Sequence, residues 1–174
     1  MEKGEFKIFR AIAALVVVSA LFFGSYWLYN QFGVEKPLAD QINGITGVKK
    51  AVIDNQNHQL IIEVELGDVD NLQSTYAGLQ KVIDKELKDK DYQLNIQDKR
   101  NPKLEKAYDN VQLIVYEALA NNRYLWLQEE MTPRLKNIDH KIFVDQHNLY
   151  VQMKDGDNYL YEVISRGQAE SNIK

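Results

Sequence analysis

Residues 11–29 read AIAALVVVSALFFGSYWLY, an apolar run with no charged side chain. A helix over that run spans roughly 28 Å at ~1.5 Å per residue, close to the ~30 Å hydrocarbon core of a bilayer. From about residue 36 the apolar positions become periodic instead of continuous. Leu38, Ile42 and Ile45 recur at helical spacing behind Pro37, and Gly44 and Gly47 stop that element. Val48 to Asp54 reads as a strand, followed by the polar turn Asn55-Gln56-Asn57-His58. In residues 59–66, Leu60, Ile62, Val64 and Leu66 alternate with Ile61, Glu63 and Glu65. That is the pattern of an antiparallel sheet with one packed face and one wet face. Gly67 ends the strand, and Asp68 or Asp70 is placed to cap a helix whose stripe is Leu72, Tyr76, Leu79, Ile83 and Leu87. Tyr92, Leu94 and Ile96 then alternate with Gln93, Asn95 and Gln97. The first half is therefore α-β-β-α-β, expected to form a three-stranded sheet with two helices on one face.

Asn101-Pro102 is a helix start, since proline in the first turn forfeits no needed amide bond. Leu104, Tyr108, Val111, Val115, Ala118 and Leu119 form the stripe, with Leu125, Trp126 and Met131 extending it past Asn121-Asn122, where a kink or break is allowed. Thr132-Pro133 is expected to open a further turn or helix reaching Asn137. Ile142 and Val144 then alternate with Phe143 and Asp145, Gln146-His147-Asn148 turns, and Leu149, Val151 and Met153 share a face. Asp155-Gly156-Asp157-Asn158 is the strongest turn signal, after which Tyr159, Tyr161 and Val163 resume the alternation. The segment from Asn43 to Asp68 is loosely echoed by Lys136 to Asp157, both reading as helix end, strand, histidine-containing turn and strand. Shared hairpin geometry and an internal duplication both account for this echo.

The fold class expected is α+β: an N-terminal transmembrane helix, the α-β-β-α-β unit, a long helix and a C-terminal antiparallel strand region. The boundaries are a cytoplasmic tail at 1–10, an anchor at 11–30, a linker at 31–36, a domain at 37–166 with a possible subdivision near 99–102, and a frayed tail at 167–174. Lys3, Lys7 and Arg10 precede the apolar run and Lys36 alone follows it closely, so the N-terminus is expected in the cytoplasm and the domain outside. Tyr26, Trp27 and Tyr29 cluster at the exit, where amphipathic rings suit the membrane interface. Val18-Ser19-Ala20 could be read as a signal-peptide cleavage pattern, but cutting there leaves LFFGSYWLY on the mature chain.

Composition narrows the chemistry. Residues 35–174 carry 18 basic and 23 acidic side chains, an acidic balance that disfavours generic nucleic-acid binding. With no cysteine, the chain has no disulfide, thiolate metal site or cysteine nucleophile. It also lacks a glycine-rich phosphate loop, HExxH and GxSxG. Ser74 lies on an amphipathic helix with no histidine nearby in the predicted fold. Three weak constellations remain. His58, His140 and His147 with Asp139 and Asp145 could in principle hold zinc or manganese, though turn histidines are more often solvated. Asp155, Asp157 and Glu162 invite a calcium reading, but Gly156 between the aspartates fits a hairpin turn instead. Glu63 and Glu65 lie about 7 Å apart on one strand face, a spacing that suits acid–base work and equally a wet sheet face. No catalytic residue, metal or cofactor is expected.

The ten tyrosines are the surplus that chemistry does not absorb. Tyr150 is expected to point opposite Leu149, Val151 and Met153, and Tyr124 and Trp126 cannot both follow the helical stripe. Aromatics outside a core favour protein interfaces. Tyr124, Trp126 and Tyr150 are accordingly the expected partner-binding residues, against packing on a second face of the same domain. The element order of the first half is similar to that of several small α/β domains of envelope proteins that pack side by side into rings or complexes. That resemblance is one of topology and implies assembly alone. The function expected is a non-enzymatic, membrane-anchored extracytoplasmic component of an envelope complex, held to the bilayer through residues 11–29 and bound to membrane or envelope proteins or to itself. A ligand-sensing module and an acidic-residue hydrolase are the alternatives.

Overall fold

The computed structural model describes residues 15–25, 36–56, 59–88 and 90–167. Residues 15–25 are helical. Among the described residues, no helix is long and apolar enough to cross a membrane. The remainder of the apolar run, with Tyr26, Trp27 and Tyr29, lies outside the described residues, as do His58 and the tail beyond residue 167.

The architecture is α+β, with two three-stranded sheets. The first unit holds α1 (Lys36–Asn43), β1 (Val48–Gln56), β2 (Gln59–Leu66), α2 (Leu72–Leu87) and β3 (Tyr92–Gln97), in the expected order. β2 is central, antiparallel to β1 and parallel to β3, as a hairpin followed by a helical crossover requires. Leu60, Ile62, Val64 and Leu66 are buried together with Leu38 and Ile42 of α1 and Leu72, Leu79, Ile83 and Leu87 of α2. Both helices thus cover one sheet face, while Glu63 on the other is exposed. Asn71, not Asp68 or Asp70, caps α2, accepting from the Ser74 amide at 2.9 Å. Its side chain lies next to the first helical residue, the position from which a short carboxamide reaches an otherwise unpaired amide.

The second unit holds α3 (Pro102–Asn121), α4 (Tyr124–Arg134), β4 (Asp139–Val144), β5 (Asn148–Asp155) and β6 (Asn158–Ser165). The helix breaks where two asparagines allowed it, with Asn122 left-handed at φ 53° and the Arg123 amide returning to the Ala118 carbonyl at 2.9 Å. The break rephases the stripe: Leu127 and Met131 are buried, whereas Leu125, expected on the packed face, is 86% exposed. Thr132-Pro133 does not open a new helix either. Pro133 lies in the last turn of α4, where it forfeits one amide bond to the preceding turn, and the helix ends one residue later at Arg134.

β4, β5 and β6 form an antiparallel meander with β5 in the middle. Both faces of this sheet are packed. Leu149, Val151, Met153, Leu160 and Ile164 meet α3 and α4. Tyr150, Tyr159 and Tyr161 point the other way, into the core of the first unit. The sheet is therefore a shared middle layer between two cores. The sequence echo extends to the hairpins β1–β2 and β4–β5, each with its second strand central, and then ends. β3 joins parallel through a helix, and β6 joins antiparallel through the two-residue turn Gly156-Asp157.

Candidate interaction surface and polar network

The segment linking β2 to α2 runs between the units, and three side chains of the middle sheet hold its backbone. The Tyr159 hydroxyl donates to the Leu66 carbonyl at 3.1 Å and accepts from Lys49 Nζ at 2.8 Å. Tyr161 donates to the Gly67 carbonyl at 2.9 Å and accepts from the Val69 amide at 3.0 Å. Gln152 donates through Nε2 to the Val69 carbonyl at 2.6 Å and accepts the Leu72 amide on Oε1 at 3.1 Å. Side chains substitute here for a strand partner, as buried backbone polar groups require. Burial pushes the Tyr161 hydroxyl up to about 12, so it stays a neutral donor throughout the physiological range. Val69 in turn restricts Gly47, which sits at φ +93° and where an added Cβ would lie 2.5 Å from the Val69 methyl. Only glycine accepts both conditions.

A second cluster anchors the β4–β5 turn. Asp145 accepts the His147 and Asn148 amides, each at 2.8 Å, and the Tyr150 hydroxyl at 2.7 Å. Desolvation works against this carboxylate, yet those hydrogen bonds hold it below the ordinary range. Burial and the Asp145 bond raise Tyr150. Tyr76 meets the Tyr150 ring edge-on at 5.7 Å between centroids. Tyr150, expected at a partner surface, is thus a core residue with no exposed area. Alternation does place it opposite Leu149 and Val151, but that opposite face is covered by the first unit.

A third cluster ties the segment between the units to β6. Asp98, its side chain only 2% exposed, accepts the Tyr161 amide at 2.8 Å and pairs with Arg100 at 2.7 Å. Arg100 also reaches Glu162 at 3.3 Å. Lys103 and Asn101 hold Asp155 at 2.5 and 3.3 Å, so Asp155 and Glu162 serve separate pairings and do not converge on a common ion site. Burial lifts the Glu162 carboxyl above its ordinary value of 4.5, and Arg100 offsets that only in part. The folded state therefore binds this proton more tightly than the unfolded chain, and the stability it contributes is lost as pH rises above that value. Glu162→Gln should gain stability relative to the unsubstituted protein as pH rises from about 4 to 7, followed by urea unfolding at each pH. A difference that stays flat with pH would contradict this. Asp145 has the opposite sign, stabilising above its ordinary value and losing that contribution as pH falls.

The remaining sequence candidates scatter. Ser74, Glu63 and His147 are exposed on different elements. Glu65 pairs with Lys49 at 3.7 Å, and Gln97 donates to Glu63 at 3.2 Å. His140 has Nδ1 3.2 Å from the Ile138 carbonyl and Nε2 3.5 Å from Gln128. It lines an open cavity of about 370 Å³ with Asp68, Asp70 and Asp139, in which Lys154 pairs with Asp68 and Lys141 donates to the Asp70 carbonyl at 3.0 Å. Among the described residues, no three histidine, aspartate or glutamate side chains are grouped to hold a metal ion.

The outer helical layer differs in kind. Leu113 and Leu125 are 84% and 86% exposed, and Tyr116 is exposed on the same face of α3 as Leu113. Tyr124 and Trp126, expected at a partner surface, are half-buried and pack against the core of the second unit. Arg166 lies 5.4 Å from the Tyr124 ring centroid and Arg123 lies 4.5 Å from that of Trp126. Sequence periodicity missed Leu113 and Leu125 as surface residues, although Leu113 falls off the Leu104–Tyr108–Val111–Val115 stripe and was visible in that way. No protein-family model matches this chain, and no curated protein or solved structure was found similar to it.

Proposed function

We propose that this protein is a non-enzymatic, membrane-anchored component of an envelope complex, which docks through its α3–α4 layer onto another anchored envelope protein. The observation that carries this reading is the pair of nearly bare leucines, Leu113 on α3 and Leu125 on α4, with Tyr116 exposed one turn from Leu113 and the partly exposed rings of Tyr124 and Trp126 flanking Leu125 in sequence. Isolated exposed leucines are ordinary, but two nearly bare leucines on adjoining helices, one of them beside an exposed tyrosine, suit a partner surface. Anchoring is supported by the uncharged run of residues 11–29. Within it, Leu15, Leu21, Phe22 and Phe23 of the helical segment are 64–76% exposed. Basic residues before the run orient the domain outward. Confinement to a bilayer raises the effective concentration of an anchored partner, so a modest apolar surface suffices. A non-catalytic role is favoured because the strongest polar clusters each hold backbone or sheet edges together.

Leu113→Asp with Leu125→Asp, made in the full chain, should change folding stability by under ~0.5 kcal/mol while costing ~2 kcal/mol or more of partner binding. Crosslinking in intact membranes followed by affinity purification reads the second effect, and thermal unfolding in detergent reads the first. Recovery of the same partner at the same yield by the double variant would overturn the docking assignment. A crosslinked dimer of the chain would turn the reading to self-association, and an unsubstituted chain that brings down nothing would overturn the assembly role itself. Protease added to sealed cells should degrade the domain and spare the anchor, and complete protection of the domain would overturn the orientation.

A further inference from the structure

We propose that the cleft between the start of α3 and the end of α4 binds a phosphate-class anion. This goes beyond the docking role and does not rest on it. The cleft has a volume of about 260 Å³ and is lined by Lys103, Lys106, Arg134 and Lys136, with no acidic residue among its lining. That is unexpected for a domain whose acidic side chains outnumber its basic ones. Like charges gathered around one concavity repel one another, and an anion in the cleft relieves that repulsion.

The four cations are not equally committed. Lys103 pairs with Asp155 at 2.5 Å and Arg134 pairs with Glu130, both carboxylates lying outside the lining. The ammonium groups of Lys106 and Lys136 have no ion pair or hydrogen bond among the described residues. Ala107, Leu135 and Ile138 give the cleft an apolar floor, which lowers the local dielectric and strengthens attraction to a bound charge. Asn110 and Asn137 add amide donors at its edge.

Phosphate suits this set better than a carboxylate. A monocarboxylate brings one charge on two oxygens in a plane. A phosphate monoester brings close to two charges on three oxygens arranged around a centre, accepting from ammonium groups on different sides. Lysines serve as point charges that converge on such a group without the planar match a carboxylate offers to arginine. The source of the phosphate is a free anion or the headgroup of an acidic lipid, and the two are separable.

The full chain would be reconstituted in phosphatidylcholine nanodiscs and its lysines acetylated with a water-soluble amine reagent, the rate at each lysine being read by mass spectrometry. With inorganic phosphate at about 10 mM, Lys106 and Lys136 should react about fivefold more slowly than in acetate of equal ionic strength, while exposed Lys81 is unchanged. Protection without added phosphate in discs doped with phosphatidic acid would assign the headgroup as the source. Lys106→Gln should weaken the protection of Lys136, and Lys81→Gln should not. Equal protection in acetate, equal protection of Lys81, or unchanged rates at both cleft lysines in every arm would each overturn the site.

Discussion

Tyr150→Ala is expected to destabilise the domain by about 3–5 kcal/mol, the usual range for emptying a fully buried aromatic position. Tyr150 has no exposed area, and its ring packs against Tyr76 and the core of the first unit. The cavity would open where the two units meet, so neither could close around it without moving the sheet they share. Its hydroxyl also caps the carboxylate of Asp145, which in turn fixes the β4–β5 turn. Tyr150→Phe separates the two effects, since it keeps the ring and should cost only about 1–2 kcal/mol. Urea unfolding of the full chain in a neutral detergent measures both. An unfolding midpoint unchanged by Tyr150→Ala would remove the residue from the core and restore it as a surface candidate.

Gln152→Leu is the second large effect, expected at about 2–4 kcal/mol. The isosteric loss is not one hydrogen bond but the stranding of two buried backbone groups, the Val69 carbonyl and the Leu72 amide. Each costs about 1–3 kcal/mol when left unpaired, and the two are not additive because one segment carries both. Amide hydrogen exchange gives a local readout, with Leu72 exchanging markedly faster in the variant. Unchanged stability together with an equally protected Leu72 amide would mean that water replaces the carboxamide at no cost.

Both residues show where the sequence was legible and where it was not. Period-two alternation placed Leu60, Ile62, Val64 and Leu66 correctly because their strand has one covered face. The same reading put Tyr150 at a surface, since alternation separates two faces without saying whether both are covered. A signal was present: residues 148–153, NLYVQM, contain no charge, as a strand buried on both sides tends to read. Leu125 was misplaced for a different reason. A left-handed residue at Asn122 shifts the phase of the following helix by an amount that local pattern does not encode. The Asp98–Arg100–Glu162 cluster was beyond reach because its members meet only when the interunit segment pairs with β6, through the Lys99–Tyr159 bridge.

The doubly covered sheet has a consequence for how the chain is made. The first unit is complete in sequence by Gln97, yet Tyr150, Tyr159 and Tyr161, which fill the bottom of its core, come more than fifty residues later. A chain emerging N-terminus first would therefore present an unfinished hydrophobic face until β6 follows, because these long-range contacts form only at the cost of closing a large loop. A C-terminal truncation before Asn158 should consequently leave both halves unstable, although it removes no residue of the first. Because β5 and β6 contribute side chains to both cores, the two halves are expected to unfold together, and any factor that acts on the unfinished chain has the interval before β6 in which to do so.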